Sequence, residues 1–125
     1  MADRRIMMLI FISGALAVLL GAFGAHALSP YLDEAGTQTF NTANRYHFYH
    51  TFLAALLGVW KPGDRLARYG QVLALAGIVL FSGSLYLLAF KTVPGVPSWL
   101  GPITPMGGLA FILAWSTGIL KLIKN

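Results

Sequence analysis

The residues best equipped for chemistry in this 125-residue chain are its three histidines, His26, His47 and His50. Ala43, His47, His50 and Ala54 recur at i, i+4, i+7 and i+11, so a helix carries both imidazoles on one narrow face. Asn44 adjoins that face, and Ser82, Ser84 and Tyr86 supply hydroxyls from a second apolar stretch. Imidazole titrates near neutral pH, so such a face could carry or sense a proton. The ordinary role of such groups is structural: a neutral imidazole bonded to Ser82, Ser84 or a backbone carbonyl joins two membrane helices. A zinc site would need His26 beside His47 and His50, with Asp33 or Glu34 to complete the ligand set. The spacing does not specify one, and no metal, haem or other cofactor is assigned.

Other chemistry is excluded by what the chain lacks. It has no cysteine, so disulfides and thiolate-ligated metals are absent. All four acids, Asp3, Asp33, Glu34 and Asp64, fall in predicted loops or tails. A small proton-coupled antiporter normally needs a carboxylate inside the membrane. No nucleophile–base pair with an orienting group is evident, so the chain is not read as an enzyme. The sequence pI of about 9.9 reflects basic residues at membrane edges rather than a nucleic-acid surface.

The elements that position these residues follow from composition. Hydrophobic residues make up 57% and charged residues 10%, whereas a soluble domain is about 25% charged. An integral membrane protein remains, and 125 residues allow one domain, 1–125. A bilayer core needs about 20 helical residues. Apolar runs of that length are read at 6–28, 69–90 and 103–123. A fourth span, 41–60, is purely apolar only over Phe52–Trp60 and takes in Asn44, Arg45, His47 and His50.

Charge supports four spans rather than three. Arg4, Arg5, Lys61, Arg65, Arg68, Lys121 and Lys124 then share one side, and only Arg45 and Lys91 face the other. The positive-inside rule places both termini in the cytoplasm. Ala25-His26-Ala27 resembles a signal-peptidase site, but the preceding apolar run exceeds the usual signal length, so the first helix is read as retained.

In the connections, Ser29 is read as an N-cap and Pro30 as the first residue of a short surface helix through Asp33 and Glu34. That helix would end at Gly36, leaving Thr37 or Thr39 to cap the second span. Lys61-Pro62-Gly63-Asp64 predicts a tight turn beside Trp60, and Val93–Trp99 an extended external loop. Pro102 and Pro105 would open the fourth span.

Small residues recur every fourth position as Ser13, Ala17, Gly21 and Ala25, and as Ala110, Ala114 and Gly118. Thr51 with Ala55 and Ala54 with Gly58 have the same spacing. Such stripes let helices approach closely, first within one chain and secondarily toward another copy or a membrane-protein partner. Counting from Lys61 places His50 ~16 Å, His47 ~21 Å and Asn44 ~25 Å into the bilayer. Counting from Arg68 places Ser82 ~21 Å and Ser84 ~24 Å deep, and from Arg5 His26 lies ~31 Å up. His26, Asn44, His47, His50, Ser82, Ser84 and Tyr86 therefore form one candidate polar pocket in the outer half.

Gly21-Ala22-Phe23-Gly24-Ala25-His26-Ala27-Leu28 resembles the signature of the YgdD-like family of small membrane proteins, designated a domain of unknown function. Phe40-Asn41-Thr42-Ala43 with Tyr46, His47 and His50 resembles its second motif, and Phe81-Ser82-Gly83-Ser84-Leu85-Tyr86 its third. Thr104-Pro105-Met106-Gly107-Gly108 resembles its fourth, where a small aliphatic residue often replaces Met106. The resemblance covers essentially the whole chain. It implies a four-span bacterial inner-membrane protein and no particular activity.

The expectation is an all-α, four-helix integral membrane bundle in the bacterial plasma membrane, both termini cytoplasmic, contacting lipid and no nucleic acid. Alternatives are a small transport or permeation protein for a proton, ion or small solute, and an accessory subunit of a larger membrane complex.

Overall fold

Three acids set where helices begin. The Asp3 carboxylate accepts from the Arg5 and Ile6 backbone N–H groups at 2.9 and 3.4 Å. Asp33 accepts from Gly36 N–H at 2.6 Å and Asp64 from Ala67 N–H at 2.9 Å. Each satisfies donors that a helix N-terminus leaves unpaired. The computed structural model describes residues 2–124. It contains four long helices: α1 (Arg4–Ala25), α2 (Glu34–Trp60), α3 (Arg65–Leu88) and α4 (Leu100–Ile123). No strand occurs among the described residues.

The α1–α2 connection departs from expectation. Leu28, not Ser29, precedes a single 3-10 turn, Ser29–Tyr31, and the Ser29 hydroxyl donates to the His26 carbonyl. Asp33 then caps α2 directly. Glu34 and Gly36 are therefore inside α2, and Thr37 and Thr39 bond back to the Asp33 and Ala35 carbonyls instead of capping. An aspartate with its oxygen already on Gly36 N–H leaves no reason for the chain to stop and restart. α3 also begins earlier than the predicted 69, and α4 earlier than 103. Lys61-Pro62-Gly63-Asp64 forms the expected turn, with Gly63 at φ 78°. The 89–99 connection is a chain of turns rather than an extended loop, with Val93 N–H donating to the Phe90 carbonyl. Pro102 lies in the first turn of α4, whereas Pro105 is inside the helix and leaves the Gly101 carbonyl without its usual donor.

α2 and α3 pack together along their lengths; α1 lies mainly on α2, and α4 mainly on α3. Ile10, Leu53, Ala54, Leu57, Ala67, Ala74 and Ala114 form the apolar core. Ala17 and Ala114, from the small-residue stripes, are fully buried, and Ser13 is nearly so. Gly21, Ala110 and Gly118 are half-buried, while Ala25 is exposed. Asp3 pairs with Arg68 at 4.0 Å and Asp64 with Lys121 at 2.5 Å. These pairs bring the starts of α1 and α3 and the end of α4 to one end of the molecule.

The outside of the molecule is apolar. Phe11, Val59 and Val79 are 74%, 73% and 71% exposed, on a scale that marks contact with lipid or a partner rather than water. α1, α3 and α4 are long and apolar enough to cross a membrane; α2 is not by composition. From His47 onward its polar residues, however, point inward, while Asn44 is half-buried and Arg45 and Asn41, nearer its start, are exposed. Ala43, His47, His50, Thr51 and Ala54 are buried, and Tyr49, Phe52, Leu56, Val59 and Trp60 face out.

One irregularity lies beside the polar residues. α3 widens into a π-helical turn over Ile78–Ser82, a form often found at functional sites. Gly107 of α4 approaches here, and a Cβ added to it would collide with the Phe81 backbone.

Candidate functional site

The seven predicted pocket residues divide among separate places. Asn44, His47 and Tyr86 meet in one network with Ser13 and Thr51. His50 turns toward α4. Ser84 bonds Thr104 at 2.6 Å and the Phe81 carbonyl at 2.9 Å. Ser82 is fully buried and its hydroxyl has no partner among the described residues. His26 caps the end of α1, exposed and apart from the others. Height along a helix follows from counting; azimuth does not, and azimuth separates these groups.

The network around His47 joins three helices. The Asn44 amide donates to the Ala17 carbonyl at 2.8 Å and to the Tyr86 hydroxyl at 3.0 Å. His47 Nδ1 lies 3.0 Å from that hydroxyl, and its Nε2 lies 3.1 Å from Ser13 Oγ. Ser13 Oγ is 2.8 Å from Thr51 Oγ1, which donates to the His47 carbonyl at 2.8 Å. A carbonyl only accepts, so the Thr51 proton is committed there. Ser13 must then donate to Thr51 and accept from His47 Nε2–H. Nδ1 in turn accepts from Tyr86. The bonds run one way: Asn44, Tyr86, His47, Ser13, Thr51, His47 carbonyl. His47 is neutral in this arrangement, with its proton on Nε2.

His50 is held differently. Its Nδ1 donates to the Tyr46 carbonyl at 2.8 Å, and its Nε2 accepts from the Trp115 indole N–H at 3.2 Å. One partner only accepts and the other only donates. The ring also stacks on Phe111, with centroids 3.4 Å apart. A second proton on His50 would set two donors against each other, so its bonding holds it neutral. A proton added at His47 Nδ1 would meet the Tyr86 oxygen, which can also accept, whereas one added at His50 Nε2 would meet the Trp115 N–H, which cannot. Proton chemistry on this face therefore belongs to His47 rather than His50.

The structure does not bring together the ligand set that the metal alternative requires. Both ring nitrogens of His47 and His50 are engaged by the protein, and His26 stands apart. Among the described residues no group of three or more His, Asp or Glu side chains could hold an ion.

Sequence reasoning placed Ser13 and Thr51 among small packing residues and did not single out Trp115. The available signal was chemical: a buried indole N–H needs an acceptor, and a buried histidine is a good one. The Gln71 side-chain amide, also buried, donates to the Ala54 carbonyl at 3.1 Å.

Outside the apolar segments, the Lys121 ammonium and then the Ala67 N–H hold the Asp64 carboxyl below the usual carboxylate range. Lys61 lies over the Trp60 ring, 5.2 Å from its centroid.

Two open clefts adjoin the polar groups. One, of about 470 Å³, lies between α1 and α3, and Ser13, His47 and Tyr86 are among its lining residues. The other, of about 650 Å³, lies between α2 and α4 and is bordered by Tyr46, Tyr49, His50, Phe81, Phe111 and Trp115.

Comparison with known proteins gives a consistent result. The profile of the family described as "Protein of unknown function (DUF423)" matches residues 20–108. The chain is 42% identical over 121 residues to the UPF0382 membrane protein YwdK of Bacillus subtilis, covering 90% of this chain and 91% of the other. It is 39% identical over 114 residues to a UPF0382 membrane protein of Haemophilus influenzae, covering 90% and 88%. Identity to the UPF0382 inner membrane protein YgdD of Escherichia coli is 34% over 128 residues, covering 99% and 93%. No solved structure is significantly similar.

Proposed function

The chain belongs to the family described as "Protein of unknown function (DUF423)", and we propose that it is a non-enzymatic, four-span protein of the bacterial plasma membrane with both termini cytoplasmic. Its hydrogen-bonded polar layer lies in the outer half of a four-helix bundle and holds α2 to its neighbours. The observation that carries this reading is the inside-out character of α2. From His47 to Trp60 its polar residues, His47, His50 and Thr51, are buried, and its outward residues, Tyr49, Phe52, Leu56, Val59 and Trp60, are aromatic or aliphatic, while the exposed Arg45 lies nearer the outer end. Mean hydropathy counts all of them alike, but lipid meets only the outward set. The ion pairs at one end of the molecule support the orientation, because seven of the nine basic residues belong to that side. The printed name of the Escherichia coli relative supports the inner membrane.

A periplasm-dependent reporter fused after Asn125 should be inactive, and one inserted in the 92–99 loop should be active. Activity after Asn125 overturns the four-span reading, because three spans carry the C-terminus across.

A second reading, permeation of a proton or small solute, draws support from His47 alone. Its Nδ1 faces the Tyr86 hydroxyl, which can accept as well as donate, so a second proton on the ring would still meet an acceptor. Purified protein in liposomes should then pass protons, and His47→Ala should abolish the flux while Trp115→Phe leaves it. Flux unchanged by His47→Ala overturns this reading. An accessory role through the small-residue stripes has less support, since Ala17 and Ala114 are buried within the chain itself.

A further inference from the structure

The groove between α1 and α3 has a charged foot. The two helices start at the same end of the molecule, where Asp3 before α1 and Arg68 of α3 pair at 4.0 Å. Beyond that contact they touch little, and an open groove of about 470 Å³ separates them. Leu9, Ile12 and Leu16 line it from α1, and Leu75 and Val79 from α3. Arg5 precedes Leu9 by four residues and Ile12 by seven, so it stands on the face of α1 that lines the groove. Arg68 precedes Val72, Leu75 and Val79 by four, seven and eleven, and stands likewise on α3. Both arginines therefore lie at one end of an apolar trough.

The trough and its foot call for different chemistry. Ser13, His47 and Tyr86 also border the groove, but their polar atoms are spent on one another, so the lining suits hydrocarbon. From Leu9 to Leu20, the last lining residue of α1, the helix rises ~16 Å. That is close to half of the ~30 Å hydrocarbon core, the reach of an acyl chain in one leaflet. At the foot, positive charge is in excess. Asp64 is engaged by Lys121 of α4 and by the Ala67 N–H. Asp3 is left to serve Arg4, Arg5 and Arg68, and it already accepts from the Arg5 and Ile6 N–H groups. Arg4 and Arg5 also occupy the first turn of α1, where the helix dipole disfavours a cation. A bound anion relieves both repulsions. A zwitterionic headgroup brings its own ammonium and relieves neither.

We propose that the α1–α3 groove binds one anionic phospholipid, its phosphate on Arg5 and Arg68 and one acyl chain laid along the trough past Leu9, Ile12 and Leu16. The planar guanidinium suits this headgroup, because it offers two parallel N–H donors to phosphate oxygens. Arg68 has donors to spare: it meets Asp3 through one nitrogen and its side chain is 49% exposed. The inference goes beyond membrane placement and needs no particular number of spans, since the Asp3–Arg68 pair alone sets both arginines at one end.

The test uses full-length protein in neutral detergent, given equal amounts of phosphatidylglycerol and phosphatidylcholine with identical chains. Native mass spectrometry counts the lipids that stay bound. One phosphatidylglycerol per chain should be retained in preference. Arg5→Gln and Arg68→Gln should each cut that preference about fivefold, the scale of one basic side chain at an anionic surface. Arg5→Gln spares the fold, since only the Arg5 backbone N–H is engaged among the described residues; circular dichroism checks both variants. Lys124→Gln, at the end of α4, which lines no part of the groove, should leave the preference unchanged. Inorganic phosphate should fail to displace the lipid, because it has no chain for the trough. Equal retention of the two lipids, a preference kept in both arginine variants, an equal loss in Lys124→Gln, or displacement by phosphate overturns the proposal. Because the measurement is in detergent, it succeeds or fails independently of the topology reporters.

Discussion

The imidazoles of His47 and His50, neighbours on one face of α2, are held from opposite sides: His47 by Ser13 of α1 and Tyr86 of α3, His50 by Trp115 of α4. α2 is thereby tied to every other helix through two adjacent side chains. The two ties share no partner residue, so they can be cut separately.

Truncating His47 should be the more damaging cut. His47→Ala leaves Ser13 and Tyr86 without their shared partner, and each buried polar group so stranded costs about 1–3 kcal/mol. Ser13→Ala in the His47→Ala background should then cost less than Ser13→Ala alone. Thermal unfolding in detergent, followed by circular dichroism, measures both; strictly additive losses would show that the Ser13–His47 bond contributes nothing.

Ser82→Ala should be neutral or stabilising. The Ser82 hydroxyl is fully buried without a partner, and removing an unsatisfied group relieves its desolvation cost of about 1–3 kcal/mol. The same unfolding measurement checks it. A clear loss of stability would reveal an acceptor or donor at the π turn.

Gly107→Ala should loosen α3 from α4. Its Cβ would fall on the Phe81 backbone, which cannot rotate away, and overpacking of this kind costs about 1–3 kcal/mol. Gly101→Ala is the control: nothing lies within 4 Å of its Cβ, so no steric loss is expected. Equal melting temperatures for the two variants would contradict the close approach.

The Asp64–Lys121 pair should give an acid limb to stability. The native pKa of Asp64 is lowered, first by the Lys121 hydrogen bond and then by the Ala67 N–H. The contribution is therefore complete above the ordinary value of 3.8 and is lost as pH falls through the lower native value. Asp64→Asn should flatten melting temperature against pH in that window and change little of its shape near neutrality. An unaltered acid limb would place the titration elsewhere.

The chain's apolar runs made α1, α3 and α4 legible, and Lys61-Pro62-Gly63-Asp64 made the turn legible, because both signals are local. The start of α2 was misplaced because Asp33, Thr37 and Thr39 are all competent caps; only the Asp33–Gly36 bond decides. The buried face Ala43, His47, His50, Ala54 follows from helical spacing and is found as such. What the spacing left open is which neighbour each imidazole meets. That depends on the rotation of α1, α3 and α4 about their own axes. Trp115 shows the difficulty: half its ring faces outward as membrane tryptophans do, and only the indole N–H reaches His50.

The inside-out character of α2 also bears on biogenesis. Alone, this segment would present Asn44, His47 and His50 without the partners they have in the fold. Those partners are supplied on the N-terminal side by Ser13 and Ala17 and on the C-terminal side by Tyr86 and Trp115. If α2 spans the membrane as proposed, α1 emerges first and can shield one flank, but the others wait for α3 and α4, so integration of α2 is coupled to synthesis of the helices that follow it.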